Sequence, residues 1–215
     1  MKVIDLTHTI SPDMTHDTGV ITPTLHVTGS VSNGSIYQCT TINNLFCHIG
    51  THLDCPTHML PTGYTTDTQD VGFFIGKAVV IDIRHYPEGS EVGMEAIADY
   101  NLDGIEFVLF HDGWCRNFTD PVKFYGAYPV LSMALIEYFG KHKTVRGIGV
   151  ESNSLDIAHD EKQLRHKRFL RYGTTIIECL NNLDLLLGKP FVFAAFPLKL
   201  KGAEGSPVRA VAILE

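Results

Sequence analysis

The chain has 215 residues, enough for one substantial core and short for two ordinary domains, so a single domain over residues 1–215 is expected. Asp and Glu outnumber Lys and Arg by 24 to 17, and the formal charge of -7 argues against a nucleic-acid-binding surface. No apolar run reaches membrane-spanning length, so no membrane partner is expected, and residues 1–5 do not read as a signal peptide. Five cysteines, an odd number without CxxC spacing, read as reduced thiols in a cytoplasmic protein.

Residues 3–7 are a short predicted strand, ended by Ser11, Pro12 and Asp13. Residues 17–23 are polar and punctuated by Gly and Pro, which marks a loop. Residues 25–31 and 36–46 have strand character, with Asn33 and Gly34 between them as a hairpin signal. The His-rich segment 48–58 follows directly, and the Gly/Thr/Pro-rich stretch 60–70 reads as a loop over it. Residues 77–83 are a nearly continuous Val/Ile run, as in a buried strand. A short helix is predicted over 94–100, then a strand over 107–110 leading into His111, Asp112, Gly113 and Trp114. Ser132 can cap a helix running through Phe139 and stopped at Gly140. Residues 145–150 form a predicted strand, 161–171 a charged helical candidate, and 174–180, 191–196 and 209–214 further strands. Many strands with a few interleaved helices imply an α/β or α+β domain with a large, partly closed sheet.

Residues 48–58 hold most of the chemistry. Gly50, Thr51 and Pro56 disfavour a helix. In an extended segment side chains alternate, which places His48, His52, Asp54 and His58 on one face with Gly50 and Pro56. Imidazoles and a carboxylate converging from one edge suit zinc, manganese or another divalent ion, and Gly50 would leave room for its approach. Outside this segment, Glu178 interrupts an apolar strand, where a charge is costly to bury unless it is paired or bound to a metal; an exposed edge position is the other reading. His166, inside the basic run 165–168, reads by itself as a solvated surface residue, and His159 competes with it as a ligand. Asp156 could orient a ligand histidine.

The string HxGTHxDxPxH resembles the signature of the cyclase family of metal-dependent hydrolases, which includes bacterial kynurenine formamidases and isatin hydrolases. Asp112 to Trp114, the stretch from Gly147 to Asp156, the pair His166 and Glu178, and the C-terminal pattern from Pro197 through Gly202 and Pro207 to Ala210 are also similar to that family, in the same order along the chain. The resemblance implies a β-rich swivelling β/β/α fold and a homodimer or homotetramer. It implies that His48, His52, Asp54, His166 and Glu178 hold two zinc ions, with manganese as another possible metal, and that His58 is the catalytic proton carrier. Isatin-hydrolase-like members use only the equivalents of His48, His52 and Asp54, for a single manganese.

A divalent ion can lower the pKa of bound water to roughly 7, so that hydroxide attacks an amide carbonyl while the metal offsets charge on oxygen. His58 would protonate the departing nitrogen. The expected activity is hydrolysis of a small-molecule formamide such as N-formylkynurenine. Ring opening of an isatin-like lactam, or a cyclase reaction, is the alternative, and a metal-stabilised binding protein without turnover is the non-enzymatic one. Thr15 to Gly19 replace an aromatic segment common in formamidase-like relatives, and Met59 stands where Phe is common. Trp114, Phe73, Phe74 and Tyr64 are the candidates to line an aromatic pocket.

Overall fold

The structure, a computed structural model, describes every residue except Thr18 and Glu215. The strands in chain order are β1 (Lys2–Asp5), β2 (Thr24–Gly29), β3 (Cys39–Asn43), β4 (His52–Asp54), β5 (Ile75–Asp82), β6 (Glu91–Val92), β7 (Phe107–His111), β8 (Val130–Leu131), β9 (Gly147–Val150), β10 (Thr175–Glu178), β11 (Phe191–Ala194), β12 (Gly205–Pro207) and β13 (Val211–Leu214). Nine of them form one sheet in the order β1-β13-β11-β5-β7-β9-β10-β4-β12, curled into a half-barrel. Its centre is parallel, β5 to β7 to β9 to β10, and its flanks are antiparallel. This is the expected sheet-rich α/β class.

The parallel centre exists because its strands are apolar on both faces. Every residue of β7, β9 and β10 is buried. Strand alternation then splits the core in two. Leu109 and Ile177 join Leu53, Val80 and Phe193 on one side. Val108, Phe110, Ile148 and Ile176 pack on the other side against the helices α2 (Met133–Lys141) and α3 (Leu164–Leu170). Each such side chain contributes about 1.5–3 kcal/mol by leaving water.

Ser132 caps α2 as expected, its Oγ accepting from Leu135 N at 3.2 Å, and the helix runs one residue past Gly140. Helix α3 is shorter than residues 161–171, because Gln163 adopts a left-handed φ of 45° and the helix begins only after it. The helix expected over 94–100 is a single 3-10 turn, Met94–Ile97. Between the hairpin strands β2 and β3, Val31–Asn33 forms a 3-10 turn closed by Gly34 at φ 84°. The short helix α1 (Pro121–Phe124), the pair β6–β8 and strand β12 have no counterpart in the sequence reading.

A buried polar knot anchors the turn after β7. Glu151 Oε2 accepts from Gly113 N at 2.6 Å and lies 2.9 Å from His111 Nδ1. Trp114 closes the turn from the core side, donating from Nε1 to Phe124 O at 2.9 Å.

Candidate metal centre

Strand β4 is only three residues long because its flanks cannot extend. Before it, Gly50 takes φ +58°, a left-handed conformation that favours glycine. After it, Pro56 starts a 3-10 turn, Pro56–His58. The fully extended reading of residues 48–58 is therefore corrected. His52 and Asp54 do share a strand face, but His48 arrives through the Gly50 bend and His58 from the 3-10 turn. Gly50 is needed for that bend, a Cβ there would sit 2.8 Å from Met14 Cε, and the residue lines the cavity over the cluster.

Strand pairing brings the second carboxylate. β4 lies between β10 and β12, and Glu178 stands opposite His52 in the register with β10. Glu178 is thus on an interior strand and buried, which removes the edge-strand reading. His166 projects from α3 and is 3% exposed, so the solvated-surface reading is wrong for it. The basic run misled because its Arg165 is itself buried, its main-chain N held by Asp156 Oδ1 at 2.8 Å.

Asp54 is the hub. Its Oδ1 lies 2.7 Å from His48 Nδ1 and 3.6 Å from His52 Nε2, and its Oδ2 lies 3.4 Å from His166 Nε2. Glu178 reaches His166 Nε2 at 2.9 Å through Oε1 and His52 Nε2 at 3.4 Å through Oε2. Asp54 Oδ2 is buried without a hydrogen-bond partner among the described residues. A buried carboxylate oxygen without a hydrogen bond, among imidazole nitrogens and a second carboxylate, fits a divalent cation. Two overlapping groups have donor atoms within 4.8 Å of one another: His48, Asp54 and His58, and His52, Asp54 and Glu178.

The Cyclase family model matches residues 4–157. The chain belongs to the cyclase family. Kynurenine formamidase of Bacillus cytotoxicus is 30% identical over 183 residues, which is 85% of this chain and 80% of that protein. Kynurenine formamidase of Geobacillus thermodenitrificans is 32% identical over 183 residues, again 85% of this chain and 80% of that protein. Isatin hydrolase A from Ralstonia solanacearum superposes with a TM-score of 0.87 at 25% identity, over 100% of this chain and 92% of that one.

In this cyclase-family chain the charges of the cluster are strongly coupled. Burial works against ionising Asp54, yet the imidazoles of His166 and His48 outweigh it and hold the carboxyl well below its usual range. Burial likewise opposes charge on His52 and His166. For His52 the contacts with Cys179 and Glu178 prevail, and for His166 the charge of Glu178 and the bond to Asp156, so both rings are raised well above an ordinary imidazole. His58 moves the other way, because burial pushes its pKa down. Its ring lies 4.0 Å from that of His48 and 6.2 Å from that of His166.

Asp156 does orient His166, with Oδ2 2.7 Å from Nδ1. His159 is exposed and lines a separate small cavity. A cavity of about 270 Å³ opens onto His48, His52, His58, His166 and Glu178. Its aromatic walls are Phe46, Phe118 and Tyr125, none of them anticipated. Trp114, Phe73, Phe74 and Tyr64 are corrected to core positions. Phe46 carried a readable signal, since it sits two residues before His48. Phe118 and Tyr125 come from a segment whose 3-10 turn and short helix left no periodic pattern. Cys55 is a buried thiol pushed by burial to about 12, and all five cysteines are unpaired.

Proposed function

We propose that this chain is a metal-dependent amide hydrolase of the arylformamidase type, converting N-formylkynurenine or a related aryl formamide to amine and formate. The observation that carries the reading is the convergence of His48, His52, His166, Asp54 and Glu178 around an unsatisfied buried oxygen, at the floor of a cavity that His58 borders. The identity of about 30% to kynurenine formamidases over 85% of the chain supports the substrate class.

Nitrogen and carboxylate donors suit zinc or manganese, and His166 and Glu178 beside His48, His52 and Asp54 give more donors than one tetrahedral zinc takes, which favours a pair of zinc ions. Bound there, such an ion supplies Lewis acidity, acidifying water and offsetting negative charge on a carbonyl oxygen. The remaining work falls to the protein. His58 is kept neutral by burial and so can accept a proton from the attacking water. It returns that proton to the nitrogen as the carbon–nitrogen bond breaks, so the amine leaves uncharged. Phe46, Phe118 and Tyr125 hold the aryl group and keep bulk water from the reacting carbon.

A second reading, opening of an isatin-like lactam, is favoured by the close superposition on isatin hydrolase A. One experiment separates the readings: metal content of the purified protein, with turnover of N-formylkynurenine and of isatin measured side by side. The expected result is two equivalents of zinc and preferential turnover of the formamide. Preferential turnover of isatin selects the lactam reading, and bound metal without turnover of either selects a metal-stabilised binding protein.

The same reading includes a cytoplasmic homodimer or homotetramer. Among the described residues the β2–β3 hairpin pairs with no other strand; it exposes Val27, Tyr37 and Ile42, and the chain leads from the end of β3 through Phe46 into His48. A second copy covering this apolar arm would border the cavity. Light scattering at micromolar concentration should give at least a dimer; replacing Val27 and Ile42 with Glu should shift it toward monomer. A monomeric wild-type protein refutes the assembly.

A further inference from the structure

The outer nitrogens of the clustered imidazoles follow one pattern. His52 directs Nε2 at Asp54 and Glu178 and its Nδ1 at Gly50 O, 2.8 Å away. His166 directs Nε2 at the same two carboxylates and its Nδ1 at Asp156. His48 directs Nδ1 at Asp54, and its Nε2 lies 3.2 Å from Glu204 Oε1. A ligand histidine that donates its far N–H to an acceptor has its tautomer and ring plane fixed and its near nitrogen made more basic. Two of the three acceptors are a main-chain carbonyl and a buried aspartate. The third, Glu204, has no assigned purpose.

Its placement is built into the fold. Glu204 immediately precedes β12, and its carbonyl accepts from Cys55 N at 2.8 Å, which ties it to the end of β4. The next residue, Gly205, stands opposite Asp54 in the β12–β4 register, and a Cβ there would lie 2.7 Å from His48 Cε1. The His48 ring is therefore seated on the Gly205 backbone while Glu204 takes its outer nitrogen. The His58 ring lies against that ring, tilted by 33° with centroids 4.0 Å apart, so the seat also sets the surface on which the proton carrier rests.

We infer that Glu204 is a positioning residue: it accepts the Nε2–H of His48 and so aims Nδ1 at the cation. This inference rests on the metal-site reading above. It gives the turn that leads into β12 a role in holding the metal.

The test titrates zinc into metal-stripped wild-type protein, Glu204→Ala and Glu204→Gln by calorimetry. In parallel, the exchange of the His48 Nε2 proton is followed by NMR in the zinc-loaded forms. Glu204→Ala should bind zinc about 10–100-fold more weakly. Glu204→Gln, whose amide oxygen can accept the same bond, should recover most of that loss. The Nε2 proton should exchange slowly in wild type and Glu204→Gln and fast in Glu204→Ala. The side chain of Glu204 is 39% exposed, so neither variant threatens the core. Equal affinity in Glu204→Ala and wild type overturns the inference alone. So does a Gln variant as weak as the Ala variant, which would make Glu204 itself a ligand. Failure of the wild type to bind zinc removes the metal-site reading and this inference with it.

Discussion

Replacing His58 with alanine should leave the bound metal in place and lower kcat by about 10²- to 10⁴-fold, the usual contribution of a positioned proton carrier. The geometry makes this a sharp test, because His58 can be assigned two ways. It shares a donor group with His48 and Asp54, which is what a ligand would do. Yet its ring lies tilted against that of His48 and borders the cavity, and burial lowers its pKa where the clustered imidazoles His52 and His166 are raised. Metal quantification alongside kinetics separates the roles. Unchanged zinc with collapsed turnover marks a proton carrier, and a lost zinc equivalent marks a ligand. Full activity in the variant would remove His58 from the mechanism.

Asp54→Ala should abolish zinc binding and turnover together, and it should also destabilise the metal-free protein by about 3–5 kcal/mol, the range for removing one member of a buried charged network. Asp54 is 1% exposed and meets three imidazoles, so its loss removes the carboxylate they share and leaves Glu178 alone to face both His52 and His166. The sign of the pH dependence follows from the shifts. The folded pKa values of His52 and His166 are raised. Their contribution is complete below the unfolded imidazole value of about 6.5 and is lost as pH rises through the folded values. The folded pKa of Asp54 is lowered, so its contribution is present above about 3.9 and is lost as pH falls through the folded value. The metal-free wild type should thus be most stable in mildly acidic solution. The deficit of Asp54→Ala, read by urea unfolding, should be greatest there and shrink toward alkaline pH. Zinc affinity of the wild type should run in the opposite sense and climb with pH, since imidazoles must shed protons to bind. A deficit that is flat with pH would show that Asp54 does not stabilise through these rings.

The parts of the fold that were legible in the sequence are those with strong local patterns. The Val/Ile run of β5 and the Ser132 cap of α2 specify their elements without help from distant residues. The motif from His48 to Asp54 names its chemistry by residue type alone, and Glu178 was readable because a lone charge in an apolar strand demands a partner. What could not be read depends on contacts made across the chain. His166 looked exposed because the apolar side of α3 lies against α2 and β10, which sequence spacing does not display. β12 is a Gly-Ser-Pro segment that becomes a strand only because β4 offers it an edge. The aromatic wall from Phe118 and Tyr125 was hidden for the same reason. The bend at Gly50 shows the limit of parity arguments: the donors converge because the backbone departs from an extended line.

The donor set also bears on how this protein matures. His48 and Glu204 meet across 156 positions of sequence, and Glu178 reaches Asp54 and His52 only when β10 has docked on β4. During synthesis the HxGTHxD segment emerges long before its partners exist, so a nascent chain offers a passing ion only a weak, incomplete grip. On the metal-site proposal, tight metal capture would be a late event, reserved for chains whose final strands are already in place.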